Sequence, residues 1–331
     1  IGGVGIAAGM IVGLAWAGRD LQGPDLWKLI GLAVSASVAF AAGLIEDFTK
    51  RVTPSQRLLA VVVAASLAMW LAGSQITRAD MDWLDGLLAI AGVSAALTLL
   101  GVAGVANSIN IIDGFNGLAS MCVAIMLAAL AYVAYQVGDE LIFLCAMVGL
   151  GAVLGFFMWN YPFGLVFLGD GGAYFMGFWV AELGILLIQR NEGVSPLFPL
   201  LLCIYPVFET VFSMYRRKVV RGHPIGQPDA THLHSLIYRR LMRWAVGHRD
   251  AATLLRRNSM TSPYLWLVCS LSVVPAVLCW DDTELLGACC IGFCLVYVAL
   301  YRAIVRFRTP RVLVRRSAHW QPRAVSSDSA G

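Results

Sequence analysis

The sequence predicts an all-α, polytopic membrane bundle, and three observations carry that prediction. Hydrophobic residues make up 59% of the 331-residue chain and charged residues 13%, with a mean hydropathy of +0.75. A soluble domain is only about 45–50% apolar, so the excess must face lipid. Ten apolar runs approach the roughly 20 residues that a bilayer span needs. They lie at 1–17, 29–45, 58–73, 86–105, 118–137, 141–158, 172–189, 196–213, 263–280 and 285–302. The third observation is charge: the segments 46–57, 214–262 and everything after 302 carry nineteen Lys and Arg, whereas the alternate connections carry four (Arg19, Lys28, Arg78, Arg190). That asymmetry places the long loop and the C-terminus in the cytoplasm.

Run 1–17 has no initiator Met before it and is too continuous with the rest of the chain to be a cleaved signal, so upstream sequence is expected to be missing. Run 29–45 ends in Glu46-Asp47-Phe-Thr-Lys50. Run 86–105 leads into a polar knot, Asn107-Ser-Ile-Asn110-Ile-Ile-Asp113-Gly114-Phe-Asn116-Gly117. Such groups cost several kcal/mol each if left unpaired in hydrocarbon, so they must line a wet cavity or a membrane surface. Pro206 and Pro275 are expected to kink the runs that contain them. All eight cysteines fall in apolar runs and read as small core hydrophobes. Residues 1–303 form one membrane domain that includes the loop 214–262. Residues 304–331 form a basic tail (Arg306, Arg308, Arg311, Arg315, Arg316) that touches anionic lipid and is disordered in its Ser-rich end.

The motifs that carry chemistry gather on the cytoplasmic side. Glu46 and Asp47 sit at a helix C-terminus, where acids oppose the helix dipole, and Lys50 lies three residues on. A cluster placed against local preference points to a site. Asn107, Asn110 and Asp113 recur every three residues and share a helix face until Gly114 permits a turn. Phe167-Leu-Gly169-Asp170-Gly171-Gly172 sets a carboxylate in a glycine-rich turn, where free helix N–H groups attract anions. Asp113 and Asp170 across a cleft suit Mg²⁺, which takes one or two protein carboxylates and completes its shell with water and phosphate. In the long loop, His223-Pro-Ile-Gly-Gln-Pro-Asp229-Ala-Thr-His232-Leu-His234 carries two histidines at i and i+2, which excludes a helical zinc pair and favours phosphate contact or proton transfer. Leu233, Leu236, Ile237, Leu241 and Trp244, with Arg239, Arg240 and Arg243, read as a basic amphipathic helix on the membrane surface. Glu182 and Glu209 are intramembrane acids; Glu209 lies close enough to Arg216-Arg217-Lys218 to reach the cleft. Asp281-Asp282, on the opposite side, reads as a solvated loop.

Taken in order, Glu46-Asp47-x-x-Lys50, Asn107-x-x-Asn110-x-x-Asp113-Gly114-x-Asn116-Gly117, Phe167-x-Gly169-Asp170, Pro206-x-x-Glu209-Thr210 and Asp229-x-x-His232-x-His234 resemble the polyprenyl-phosphate N-acetylhexosamine-1-phosphate transferases. The resemblance covers about residues 1–245. It implies transfer of a sugar-1-phosphate from a UDP-sugar to undecaprenyl phosphate in the bacterial inner membrane, with release of UMP and with Mg²⁺, or Mn²⁺, as cofactor. It further implies Asp170 and Asp113 as metal ligands and Asp47, beside Glu46, as a base near the acceptor phosphate. Asn110 and Asn116 would contact the nucleotide, with Lys50, Asn107 and Glu209 as further substrate contacts, and His232 and His234 would meet phosphates. The partners implied are the two substrates, the bilayer and a second copy in a homodimer; no nucleic acid is expected.

The chain departs from the family pattern in Glu46 and Asn116, where many members carry Asp, in Leu165 and Ala173, which replace a basic residue and a serine, and in Ser235, where a histidine is usual. Its first residues resemble the family's second helix, so a complete protein would have eleven spans. The product would be a lipid-linked sugar that initiates O-antigen or a related surface glycan. The sibling pentapeptide-sugar transferase of peptidoglycan is disfavoured by the separated His-Leu-His-Ser pattern. A transporter or flippase is disfavoured because the polar motifs crowd one face instead of the midplane between repeats.

Overall fold

The computed structural model describes residues 1–220, 232–242 and 251–306. His223, Asp229, Arg243, Trp244 and the tail beyond Arg306 therefore lie outside the described residues. The described chain is all-helical: α1 (Gly2–Ala17), α2 (Gly23–Thr49), α3 (Pro54–Leu71), α4 (Asp82–Leu88), α5 (Ala91–Ile112), α6 (Leu118–Gln136), α7 (Glu140–Asn160), α8 (Gly169–Arg190), α9 (Leu197–Leu202), α10 (Ile204–Tyr215), α11 (Leu233–Leu236), α12 (Ala251–Leu278) and α13 (Thr283–Val305).

Nine of these helices are long and apolar enough to cross a bilayer. The remaining expected run, 196–213, where Pro206 is expected to kink the helix, is broken at Cys203 into α9 and α10. Pro206 supplies the physical reason: it has no N–H for the carbonyl of Leu202, four residues earlier, so one bond of the helical ladder is missing at the break. At the other anticipated kink, α12 continues through both Pro263 and Pro275.

Several helix starts are written locally. Thr53 and Gln56 form a reciprocal capping box ahead of α3, with Pro54 in its first turn. Asp139 caps α7 by accepting from Ile142 N at 3.2 Å, and Asp282 caps α13 by accepting from Leu285 N at 2.9 Å. The helix α8 is the axis of the bundle, enclosed on all sides from Gly171 to Ile188 and packed against α1, α2, α3, α5, α6 and α7. Its only acidic or basic side chain within that stretch is Glu182, which fits a helix that is apolar all round. Large apolar side chains on the outer helices point outward instead. Trp16, Trp27, Trp70 and Trp83 are exposed near one end, and Phe48, Trp159, Phe163 and Phe167 near the other, in the manner of interfacial aromatic belts.

Two glycines allow α2 to reach the start of α8. A Cβ on Gly43 would sit 2.6 Å from both Gly171 N and Cα, so any side chain there would drive the two backbones apart. Gly169 has φ +76°, and a Cβ on it would fall 2.5 Å from Asp47 Oδ2. The two positions bring Asp47 onto the first turn of α8.

Candidate active site

The C-terminal end of α2, the start of α3, the C-terminal end of α5 and the start of α8 meet at one end of the bundle, and their polar side chains converge there. Asp47 accepts from Asp170 N at 2.8 Å through Oδ1 and from Gly171 N at 3.0 Å through Oδ2. Its carboxylate thus closes the free N–H groups of α8, where the helix dipole favours negative charge. Lys50 Nζ lies 4.0 Å from Asp47 Oδ1 on an otherwise exposed side chain. Asp170 receives Asn110 Nδ2 at 2.8 Å on one oxygen and Arg57 Nη1 on the other. Arg57 lies 5.7 Å from the ring of Tyr174, whose hydroxyl donates to Asn107 Oδ1 at 3.3 Å.

Asp113, the residue that ends α5, has no hydrogen bond to its carboxylate among the described residues, unlike Asp47 and Asp170. Burial, and after it the charge of Asp47, raises its pKa from 3.8 to about 7. The carboxylate whose charge Asp113 feels is therefore that of Asp47. An oxygen-rich, electron-rich group of this kind fits a hard divalent cation, which would relieve the repulsion. Among the described residues no three or more His, Cys, Asp or Glu gather as a metal site. Asp113, whose carboxylate has no partner among the described residues, could hold such an ion, whereas both oxygens of Asp170 are engaged by Asn110 and Arg57.

A second assembly lies against the first. His232 adopts extended backbone (φ −59°, ψ 153°) just before α11, and this lets its ring stack on that of His234 at 5.1 Å and 8°. The i, i+2 spacing thus brings the rings together through the change of backbone at the helix start. His234 packs edge-on against Phe115 at 5.6 Å and lies beside Gly114, in the loop after Asp113. His232 Nδ1 is 3.0 Å from Glu209 Oε1, the same oxygen accepts from Leu233 N at 2.9 Å, and Tyr297 donates to Oε2. The sequence motif puts Glu209 at substrate; in the fold it is 1% exposed and both its oxygens are engaged by protein donors, so its observed work is to hold His232.

Other expectations are revised by the contacts. Glu46 Oε2 accepts from Val52 N at 2.7 Å, securing the α2–α3 connection. Asn116 turns its side chain toward Pro162 O at 3.1 Å, while its backbone N donates to Asn258 Oδ1 at 2.9 Å and its carbonyl accepts from Ser262. It clamps α12 to the α7–α8 loop and does not point toward Asp170. In the described part of the basic amphipathic segment, Leu233, Leu236 and Ile237 are buried in the protein instead of facing lipid, and Arg240 donates to the carbonyl of Ile304 at 2.9 Å. Of the residues the sequence did not single out, Arg57, Tyr174, Tyr297, Asn258 and Ser262 take part. Arg57 alone offers a signal, as a cation three residues inside a capped helix start opposite the acidic motifs.

Residues 29–188 match the glycosyl transferase family 4 model. A probable undecaprenyl-phosphate N-acetylglucosaminyl 1-phosphate transferase from Bacillus subtilis is 27% identical over 256 residues, spanning 77% of this chain and 68% of the relative. An undecaprenyl-phosphate alpha-N-acetylglucosaminyl 1-phosphate transferase from Thermotoga maritima is 32% identical over 93 residues, 28% of this chain and 30% of the relative. The matched family segment contains Asp47, Asn110, Asp113 and Asp170 together with the helices that position them. Over residues 29–188, just under half of its length, the chain matches glycosyl transferase family 4, and it is distantly homologous to undecaprenyl-phosphate N-acetylglucosaminyl 1-phosphate transferases.

Proposed function

We propose that the protein transfers an N-acetylhexosamine-1-phosphate from a UDP-sugar to undecaprenyl phosphate, giving a lipid-linked diphospho-sugar and UMP. The observation that carries this reading is the convergence of Asp47, Asp113, Asp170, Asn110 and Arg57 at one end of a membrane bundle. That end is where a polar donor and a lipid phosphate could meet. The positive-inside bias assigns it to the cytoplasmic side of the bacterial inner membrane, where the product would initiate O-antigen or a related glycan.

In the reaction an oxygen of the acceptor phosphate forms a bond to the sugar-bearing phosphorus. The P–O bond to the uridylyl phosphate breaks, and UMP leaves with that electron pair. The acceptor is already largely ionised near neutral pH, its second pKa being about 6, so little base catalysis is needed. Asp47 then serves chiefly to fix the start of α8 and with it Asp170. Mg²⁺ or Mn²⁺, held by Asp113 and Asp170, would neutralise charge on the donor diphosphate. His232 and His234 supply further phosphate contacts, and Lys50 and Asn107 line the approach.

The decisive assay gives purified protein Mg²⁺, undecaprenyl phosphate and a panel of UDP-sugars and measures UMP. Release with one donor and dependence on the lipid are expected; a well-folded preparation silent with every donor would sink the reading.

A further inference from the structure

We infer that Arg57 is an exchangeable counter-ion of Asp170, held on that carboxylate until a divalent cation displaces it and then turned toward the donor diphosphate. The inference rests on the transferase reading for its second half alone; the first half concerns only this chain and a cation.

Arg57 and Asn110 between them occupy both oxygens of Asp170, a carboxylate to which the proposed function assigns the cation. A guanidinium and a divalent ion repel one another, so they cannot share one carboxylate on equal terms. Arg57 spends a single N–H on Asp170, and its Nε is buried with no partner among the described residues. A guanidinium carries five donors in a planar fork suited to phosphate, so most of its bonding capacity is held in reserve. The backbone beneath it is rigid: Arg57 N bonds to Thr53 O at 3.1 Å, within the turn locked by the Thr53–Gln56 capping box. Only the side chain needs to move, and the face of Tyr174, 5.7 Å away, flanks its path. The arrangement lets cation and donor arrive in order. The ion takes Asp170, and the released guanidinium supplies a second positive charge to the diphosphate.

The test measures Mn²⁺ binding to the full-length protein by electron paramagnetic resonance with no sugar nucleotide present. Arg57→Gln removes the competitor and should tighten Mn²⁺ binding about tenfold, the lower end of the range by which neighbours tune metal sites. Arg57→Lys, which keeps the charge, should bind Mn²⁺ within about twofold of the parent, and Asp170→Asn should lose binding. In turnover, Arg57→Gln should raise KM for the UDP-sugar despite its tighter cation. Unchanged or weaker Mn²⁺ binding in a folded Arg57→Gln protein overturns the exchange, as does a parent that binds no Mn²⁺. Because the cation readout uses no substrate, a failed search for a donor leaves it intact, and an active enzyme with unaltered cation affinity rejects the exchange while leaving the transferase reading in place.

Discussion

The two ends of the bundle use the same residue types to opposite effect. At the end remote from the motifs, Arg190 donates to Asp139 and to Asp25, each at 2.7 Å, and Asn191 adds a bond to Asp139 at 2.9 Å. Arg78 spends one nitrogen on the carbonyls of Ile188, Asn191 and Val194. Charges and donors within this network are matched, and it ties the ends of α2, α7 and α8 to the loop after α8. At the motif end the matching is left incomplete. Asp113 has no donor among the described residues, burial raises its pKa, and Arg57 keeps a buried Nε unpaired among those residues. A closed polar network stabilises, whereas an open one beside a cluster of carboxylates is set to receive a charged ligand.

Four changes would break or sharpen that contrast. The largest effect is expected from Asp170→Asn, which should lower UMP release by about a hundredfold or more, as removal of a preorganised charge at a reacting centre does, with the unfolding midpoint nearly unchanged. Near-normal rates would remove Asp170 from the reaction. Arg190→Ala should do the reverse: it leaves Asp139, whose side chain is 3% exposed, with a buried charge short of its cation. A loss of about 3 kcal/mol is expected, read from denaturation in detergent, while turnover per folded molecule persists. A dead but stable Arg190→Ala protein would show that the remote end also serves chemistry.

Smaller in effect, Glu209→Gln keeps the shape of the His232 clamp but loses its charge. A fall in turnover of about tenfold is expected, together with a shifted pH profile; loss of rate with an unshifted profile would reduce the clamp to packing. The smallest change concerns Asp113 in cation-free buffer. Its folded pKa, about 7, lies above the ordinary 3.8, so the fold binds the proton more tightly than the unfolded chain does. Its ionisation therefore costs the fold nothing below about pH 4, an increasing amount up to pH 7, and a constant amount above. Asp113→Asn should melt higher than the parent at pH 8, with the gap closing toward pH 4, and a gap of opposite sign would reject the crowding of Asp47 and Asp113.

Much of this is legible in the sequence because lipid and backbone impose local rules. The long apolar runs had to become helices, since a spanning backbone must satisfy its own hydrogen bonds, and the capped starts of α3, α7 and α13 are spelled by Thr53-Pro54, Asp139 and Asp282. The polar motifs Asp47, Asn110, Asp113 and Asp170 stand out because polar groups are costly where they lie. Their roles are less legible. Asp47 reads as a base and is bonded to the first turn of α8; Glu209 reads as a substrate contact and holds His232; Asn116 reads as a nucleotide ligand and clamps α12.

The sequence by itself therefore determined the class of protein, the order of its helices and the list of residues from which a site had to be made. Only the tertiary structure decided which member of that list faces which. Asp47 meets Asp170 N across 123 positions because Gly43 and Gly169 let α2 and α8 touch, and Arg57 reaches Asp170 across 113 because α3 packs beside α2. Hydrophobic periodicity specifies that a helix is buried but carries little information about its neighbour. The neighbour is selected by close packing of backbones and by the pairing of a few buried polar groups.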